Sequence, residues 1–550
     1  MRGKPRITGR RAIKKNSVIC VHLRNLKHRL PCQKRSAMKG TLPRSALWLK
    51  KSLSVAPSRQ NTGFPCELGN ATIAAPPNRI PPLMKPSPFL LAVAAILIQA
   101  IASGAAEPKP NILIILSDDQ GYADTGFQGS RDIPTPNLDR LAREGLRCTS
   151  GYVSHPYCSP TRAGLMTGRY QARFGHEHNP RYDPDDHREG LPTTEKLLPQ
   201  FLAAAGYATG WIGKWHLGAA PEFRPENRGF KETFGFIGGI HHFRDWQVNP
   251  KREANTALFR NGADVEVKEH LTVAFGHEAA AFVQRHKAEP WFLYLAFNAP
   301  HDPEEPTAER LAKFAAIGDP KRRAYAAQVS LLDDAIGETL AALRATGQEK
   351  RTLVFFFSDN GAPFGDGHGG SGPNGGVNTP LRDGKHSVYE GGVRVPFVVS
   401  WPSHLPAGRD YDLPVSSLDV FPTALAGAQV PMPTDRPYVG VNLLPFLNGE
   451  NTAAPHLQLF WRENERLQAA ARSGSWKLVR DGTWRPQLFD LAADLGEHND
   501  VAQENARVTS EVNHALDAWM KQMSPKLAFP GQQGPEREWP APDPGAKGAP

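Results

Sequence analysis

Two short apolar runs, ILIIL at residues 112–116 and TLVFFF at 352–357, each stop at a Ser-Asp-Asx triplet. Ser117-Asp118-Asp119 follows the first and Ser358-Asp359-Asn360 the second. Unbroken apolar runs of this length suit strands buried on both faces, and such strands belong to parallel sheets covered by helices. Further runs at 207–212, 291–296 (WFLYLA) and 395–400 (VPFVVS) alternate with helical patterns at 137–147, 194–205 and 324–346. The alternation predicts an α/β class with a large, mostly parallel central sheet flanked by helices. From about residue 425 the character changes. Strand candidates at 458–461 and 476–479 and a helix around 508–523 predict a smaller C-terminal α+β subdomain. The expected division is a main domain over 107–424, the subdomain over 425–525 and a disordered, Pro- and Gly-rich tail over 526–550.

The formal charge of +10 is unevenly placed. Residues 1–83 hold 18 of the 65 Lys and Arg but one acid, Glu67, leaving 47 basic and 54 acidic residues from Met84 onward. The body is therefore mildly acidic, and no nucleic-acid partner is expected. Met84 and Lys85 precede an apolar run at 89–101 (FLLAVAAILIQAI) and the small residues Ala102-Ser103-Gly104-Ala105-Ala106. This is the layout of a secretory signal peptide over 84–106, and the run is too short for a comfortable membrane span. Residues 1–83 are then expected to be a disordered basic leader or an artefact of where the reading frame was begun. A cytosolic extension ahead of an uncleaved anchor is the alternative. The expected location is periplasmic or secreted, with no stable membrane span in the mature chain. Beyond the leader only Cys148 and Cys158 remain, so disulfides are not the organising element.

In open α/β sheets, ligands bind at the carboxyl ends of strands. Asp118, Asp119, Asp359 and the amide oxygen of Asn360 would form an all-oxygen set there, suited to Ca²⁺ or Mg²⁺ and unlike a zinc site. Each acid pair taken alone could equally cap a following helix. Between the two pairs lies Cys158-Ser159-Pro160-Thr161-Arg162, followed by Ala163-Gly164-Leu165-Met166-Thr167-Gly168-Arg169. Lys214 and His216 stand two apart after an apolar run, so in extended chain they share a face. His301 follows WFLYLAF between Pro300 and Asp302-Pro303, and Lys385 precedes Glu390-Gly391-Gly392.

The cysteine motif, the segment from Gly206 to His216 and the acid pairs together resemble the type I sulfatases of the alkaline phosphatase superfamily. The resemblance covers about 108–525, with ten functional positions in family order. It implies oxidation of Cys158 to formylglycine by a maturation enzyme, and hydrolysis of sulfate monoesters by the aldehyde hydrate. One hydroxyl of the hydrate displaces the alcohol from sulfur; the other collapses to the carbonyl and expels sulfate. It further implies metal ligation by Asp118, Asp119, Asp359, Asn360 and an oxygen of modified Cys158. Arg162 would steady the hydrate, Lys214 and Lys385 bind the sulfate, His216 assist release and His301 protonate the leaving alcohol. Asp383 stands where many relatives have glycine, which puts an acid near Lys385. His241, His242 and His368 are at most rim residues. The substrate class implied is sulfated carbohydrate, read by loops such as 235–248 and 364–378. A phosphonate or phosphodiester hydrolase with the same aldehyde, and a non-catalytic exported binding protein, are the alternatives.

Overall fold

The computed structural model describes residues 109–364, 372–464, 466–482 and 485–524. The expected leader, signal peptide, tail and His368 lie outside the described residues. A ten-stranded sheet forms the body. Its centre is parallel: the Asn111–Ser117 strand lies between Thr352–Ser358 and Trp291–Ala296, with Ala208–Lys214 and Glu232–Phe236 beyond the latter. Antiparallel pairings appear toward the edges, at Phe397–Ser400 on one side and Leu258–Arg260 on the other. No helix of the described residues is long and apolar enough to cross a membrane.

The apolar runs are continuous because both faces of the sheet are covered. Ile112, Ile114 and Leu116 pack on one side with Ala163, Leu165 and Met166. Leu113 and Ile115 pack on the other, against the Leu271–Arg285 and Pro320–Ala345 helices. Each of these Ile, Leu and Met side chains, wholly buried, contributes about 1.5–3 kcal/mol.

Most expected boundaries shift by a few residues, and three of the differences have an evident physical cause. The helix anticipated over 137–147 ends at Glu144, and after Gly145 the chain enters a short strand, Leu146–Cys148, which pairs with Phe397–Ser400. Tertiary pairing overrides the helical pattern there. The strand anticipated from 395 starts at Phe397, after Pro396, which has no N–H to offer the sheet. The division expected at 424/425 falls inside the Val420–Gly427 helix, whose Phe421, Ala424 and Leu425 join the core of the large sheet. The separate four-stranded antiparallel sheet begins at Gln458 and is backed by the Ala506–Met520 helix.

A buried ion pair fastens the chain between the two sheets. His456 Nε2 lies 2.9 Å from both carboxylate oxygens of Asp419, which also accepts from the backbone N–H of Ser416 and Val441. Burial opposes a charge on His456, but Asp419 outweighs it and raises the imidazole pKa. A raised pKa stabilises the fold fully below the ordinary histidine range and ceases to do so as pH climbs through the folded value. His456→Ala is therefore expected to cost about 1–3 kcal/mol at pH 6 and clearly less at pH 9. Denaturant melts at the two pH values read this, and an equal loss at both would refute the ion-pair account.

Candidate active site

The in-register pairing of Ser117 with Ser358 sets the acids side by side at the carboxyl ends of two neighbouring parallel strands. The Asp119 N–H donates to Asp359 Oδ1 (3.3 Å), and Asn360 Nδ2 donates to Asp119 Oδ1 (2.7 Å). Asp118, Asp119, Asp359 and Asn360 are fully buried. Cys158 opens the buried Cys158–Thr167 helix, and its Sγ is 3.7 Å from Asp118 Oδ1. One turn on, Arg162 donates from Nε and Nη2 to Asp359 Oδ2 at 3.0 and 2.8 Å. The Ala208–Lys214 strand delivers Lys214, whose Nζ donates to Asp118 Oδ2 at 2.6 Å. Lys385 Nζ donates to Asp119 Oδ2 at 2.8 Å and lies 3.3 Å from His301 Nε2. Three carboxylates thus face three cations around the sulfur of Cys158.

The electrostatics follow from that grouping. Burial works against a charged Asp118, yet Lys214, His301, Arg162 and Lys385 together hold its carboxyl far below the usual range. Asp119 is likewise held down, against burial, chiefly by Lys385. Burial pushes Asp359 up, and the neighbouring Asp118 charge adds to the effect. The Cys158 thiol is pushed up to about 12 by burial, so as a plain cysteine it stays protonated and is a poor nucleophile. Burial next to Lys214 and Arg162 drives His216 well below its ordinary pKa, so the ring is neutral, with one nitrogen bare and the other carrying a proton.

The oxygen donors fit a hard divalent cation, whereas the sulfur of an unmodified Cys158 does not. Asp118, Asp119, Cys158 and His301 offer atoms within 4.8 Å of one another, and Asp359 and Asn360 are hydrogen-bonded to Asp119. The buried Asn360 Oδ1 has no hydrogen-bond partner among the described residues, which leaves an oxygen ready for a metal. His301 joins this cluster, although the sequence places it on the substrate side; its Nε2 is 3.5 Å from Asp119 Oδ2.

Two sequence expectations change. The Asp383 carboxylate accepts from Ser387 Oγ (3.0 Å) rather than reaching Lys385. Its φ of +59° is in the left-handed region that glycine adopts most readily. His241 is buried, with its ring nitrogens 2.7 and 2.9 Å from the carbonyls of His242 and Thr256, so it is a structural residue; His242 pairs with Glu305. Sequence reasoning misses Gly239, where any Cβ would collide with the His216 ring. It misses Asp124 as well. Asp124 accepts from the N–H groups of Gly121 and Val377 and from Tyr325 and Arg322, tying the loop after Asp119 to the segment that leads to Lys385.

The Sulfatase family model matches residues 110–430, and the model of the N-sulphoglucosamine sulphohydrolase C-terminal region matches 383–526. N-acetylgalactosamine-6-sulfatase of Mus musculus is 37% identical over 470 residues, 75% of this chain and 86% of the relative. Arylsulfatase A of Bos taurus is 34% identical over 466 residues, covering 76% and 88%. The solved structure of Ps i-CgsB in complex with k-i-k-neocarrahexaose is 35% identical, with a TM-score of 0.71 over 76% of this chain and 94% of that one. The chain belongs to the sulfatase family, the type I sulfatases of the alkaline phosphatase superfamily, and is a sulfuric ester hydrolase.

Proposed function

We propose that this sulfatase removes sulfate from sulfated carbohydrate after Cys158 is converted to formylglycine, with a calcium ion held by Asp118, Asp119, Asp359, Asn360 and the modified side chain. The observation that carries the reading is the convergence of Lys214, Lys385 and His301 on the acids beside Cys158. When bound, the cation neutralises the carboxylates and polarises an oxygen ligand. The aldehyde, once formed, supplies through its hydrate the nucleophile that a protonated thiol at this position does not. Lys214 and Lys385 supply fixed positive charge to the equatorial sulfate oxygens. Arg162, locked by two hydrogen bonds to Asp359, holds the base of the nucleophile-bearing helix against the acids. His301, 14% exposed at the mouth of the site, stands where the leaving alcohol departs and can protonate it. His216, neutral before substrate enters, can take up the proton released when sulfate is expelled because the negative sulfate beside it favours the imidazolium. The sugar class rests on relatives named for N-acetylgalactosamine-6-sulfate and on the hexaose complex of Ps i-CgsB. Export, implied by the apolar run after Met84, would bring the enzyme to such substrates.

Two measurements test this. The tryptic peptide spanning residue 158 from active protein is expected to carry the mass change of CH2–SH oxidised to CHO by the maturation enzyme, the loss of one sulfur and two hydrogens with the gain of one oxygen. Sulfate release from a panel of sulfated glycans is expected to exceed turnover of an aryl phosphodiester. An unmodified Cys158 in fully active protein would defeat the aldehyde; faster phosphodiester turnover would favour the phosphodiesterase alternative.

A further inference from the structure

A cleft of about 380 Å³ is lined in part by Arg244, Asp245, Trp246, Gln247 and Asn255 on one wall and by Glu305 on the other. Both walls spring from the catalytic groups. The first belongs to the segment that starts at Gly239, against the His216 ring. The second lies four residues beyond His301. Glu305 binds the walls together: its Oε2 accepts from the N–H groups of Phe243 (2.8 Å) and Arg244 (3.1 Å), and its Oε1 pairs with His242 Nδ1 (2.6 Å). Glu253 accepts from the Gly239 N–H, so the Glu253–Asn255 turn that presents Asn255 is fastened to the same strip.

The lining chemistry is that of a saccharide site. Trp246 is half-buried and anchored edge-on to His241, with ring centroids 4.8 Å apart, and an indole suits the apolar C–H face of a pyranose. Gln247 and Asn255 offer amides to hydroxyls. Arg244 is 39% exposed, and its ion-pair partner among the described residues is Asp245, 3.3 Å away and 84% exposed. So open a pair is worth about 0–1 kcal/mol, which leaves the guanidinium available to a better-placed anion. We propose that this cleft takes the sugar adjoining the sulfated one, and that Arg244 reads a negative charge on it, a carboxylate or a second sulfate. The inference rests on the carbohydrate reading above and names the neighbour that the enzyme prefers.

The test compares wild type, Arg244→Ala, Arg244→Lys and Trp246→Ala on sulfated disaccharides whose adjoining sugar is glucuronate, sulfated galactose or neutral galactose, with an aryl sulfate as the short substrate. Arg244→Ala is expected to raise KM about tenfold to a hundredfold on the anionic disaccharides, with kcat little changed. The glucuronate and sulfated-galactose arms show which anion is read. Arg244→Lys should restore part of the loss, and Trp246→Ala should raise KM for all disaccharides. An equal KM rise on the neutral disaccharide and the aryl sulfate would mean that Arg244 is structural and would overturn the proposal. No KM change on either anionic substrate would overturn it too. If wild type turns over the aryl sulfate and none of the disaccharides, the carbohydrate reading fails and takes this one with it. A folded Arg244→Lys protein keeps the comparison decisive should the alanine variant not fold.

Discussion

Replacing Cys158 with alanine is expected to lower kcat on an aryl sulfate by about 10⁶-fold, to the level of a binding pocket without a nucleophile. The side chain is almost completely buried, its thiol pushed up to about 12 by its surroundings, and its sulfur is 3.7 Å from Asp118. Nothing else within that cluster can take its place: Asp118 and Asp119 are held by lysines and Asp359 by Arg162. Cys158→Ser is expected to fall as far, unless the expression host converts serine to the aldehyde. The check is steady-state turnover together with the peptide mass at position 158. Substantial activity in the alanine variant would show that the nucleophile lies elsewhere and would remove the reason for placing formylglycine there.

Lys477→Ala is expected to destabilise the fold by about 3–5 kcal/mol, among the largest effects available to one substitution outside the active site. Lys477 Nζ lies 2.8 Å from Glu390 Oε1 and 3.2 Å from Glu497 Oε1, and none of the three side chains is exposed. Tyr152 donates to the other Glu390 oxygen (2.6 Å), and the Glu390 N–H donates to Glu497 (2.7 Å). Burial, with the Glu390 charge adding to it, pushes the Glu497 carboxyl up, whereas Lys477 and the nearby arginines hold Glu390 down against burial. Without the ammonium, two carboxylates would share a dry site. Protonation relieves that repulsion, so the deficit should be greatest at pH 8 and shrink toward pH 5. Guanidinium melts at both values decide the matter; a loss independent of pH would assign it to packing. Because Glu390 follows Lys385 by five residues, partial unfolding here should also raise KM for any sulfate ester.

Much of the site could be read in the chain because its chemistry sits at strand ends. ILIIL and TLVFFF announce buried parallel strands, and the acids that follow have little choice but to lie together once those strands pair in register. What the residues alone left open was which side chain faces which. Asp383 looked like a neighbour of the Lys385 charge, but a left-handed backbone turns it to Ser387. His241 and His242 looked alike as adjacent loop histidines, yet one is enclosed between two carbonyls and the other meets Glu305. Leu146 fitted a helical stripe because local pattern carries no information about Phe397–Ser400, the partner it meets far along the chain. Asp124 and Glu253 act through backbone N–H groups of distant loops, a relation that no spacing encodes.

The Asp119–Asn360 hydrogen bond joins residues 241 positions apart. Closing so long a loop is slow and entropically costly, so the site can exist only after the chain has threaded its central strands into their final order. Cation affinity is for this reason expected to be a late reporter of folding: if calcium occupies the proposed site and protects the native enzyme against heat, truncated or trapped forms with ample helix by circular dichroism should show none of that protection.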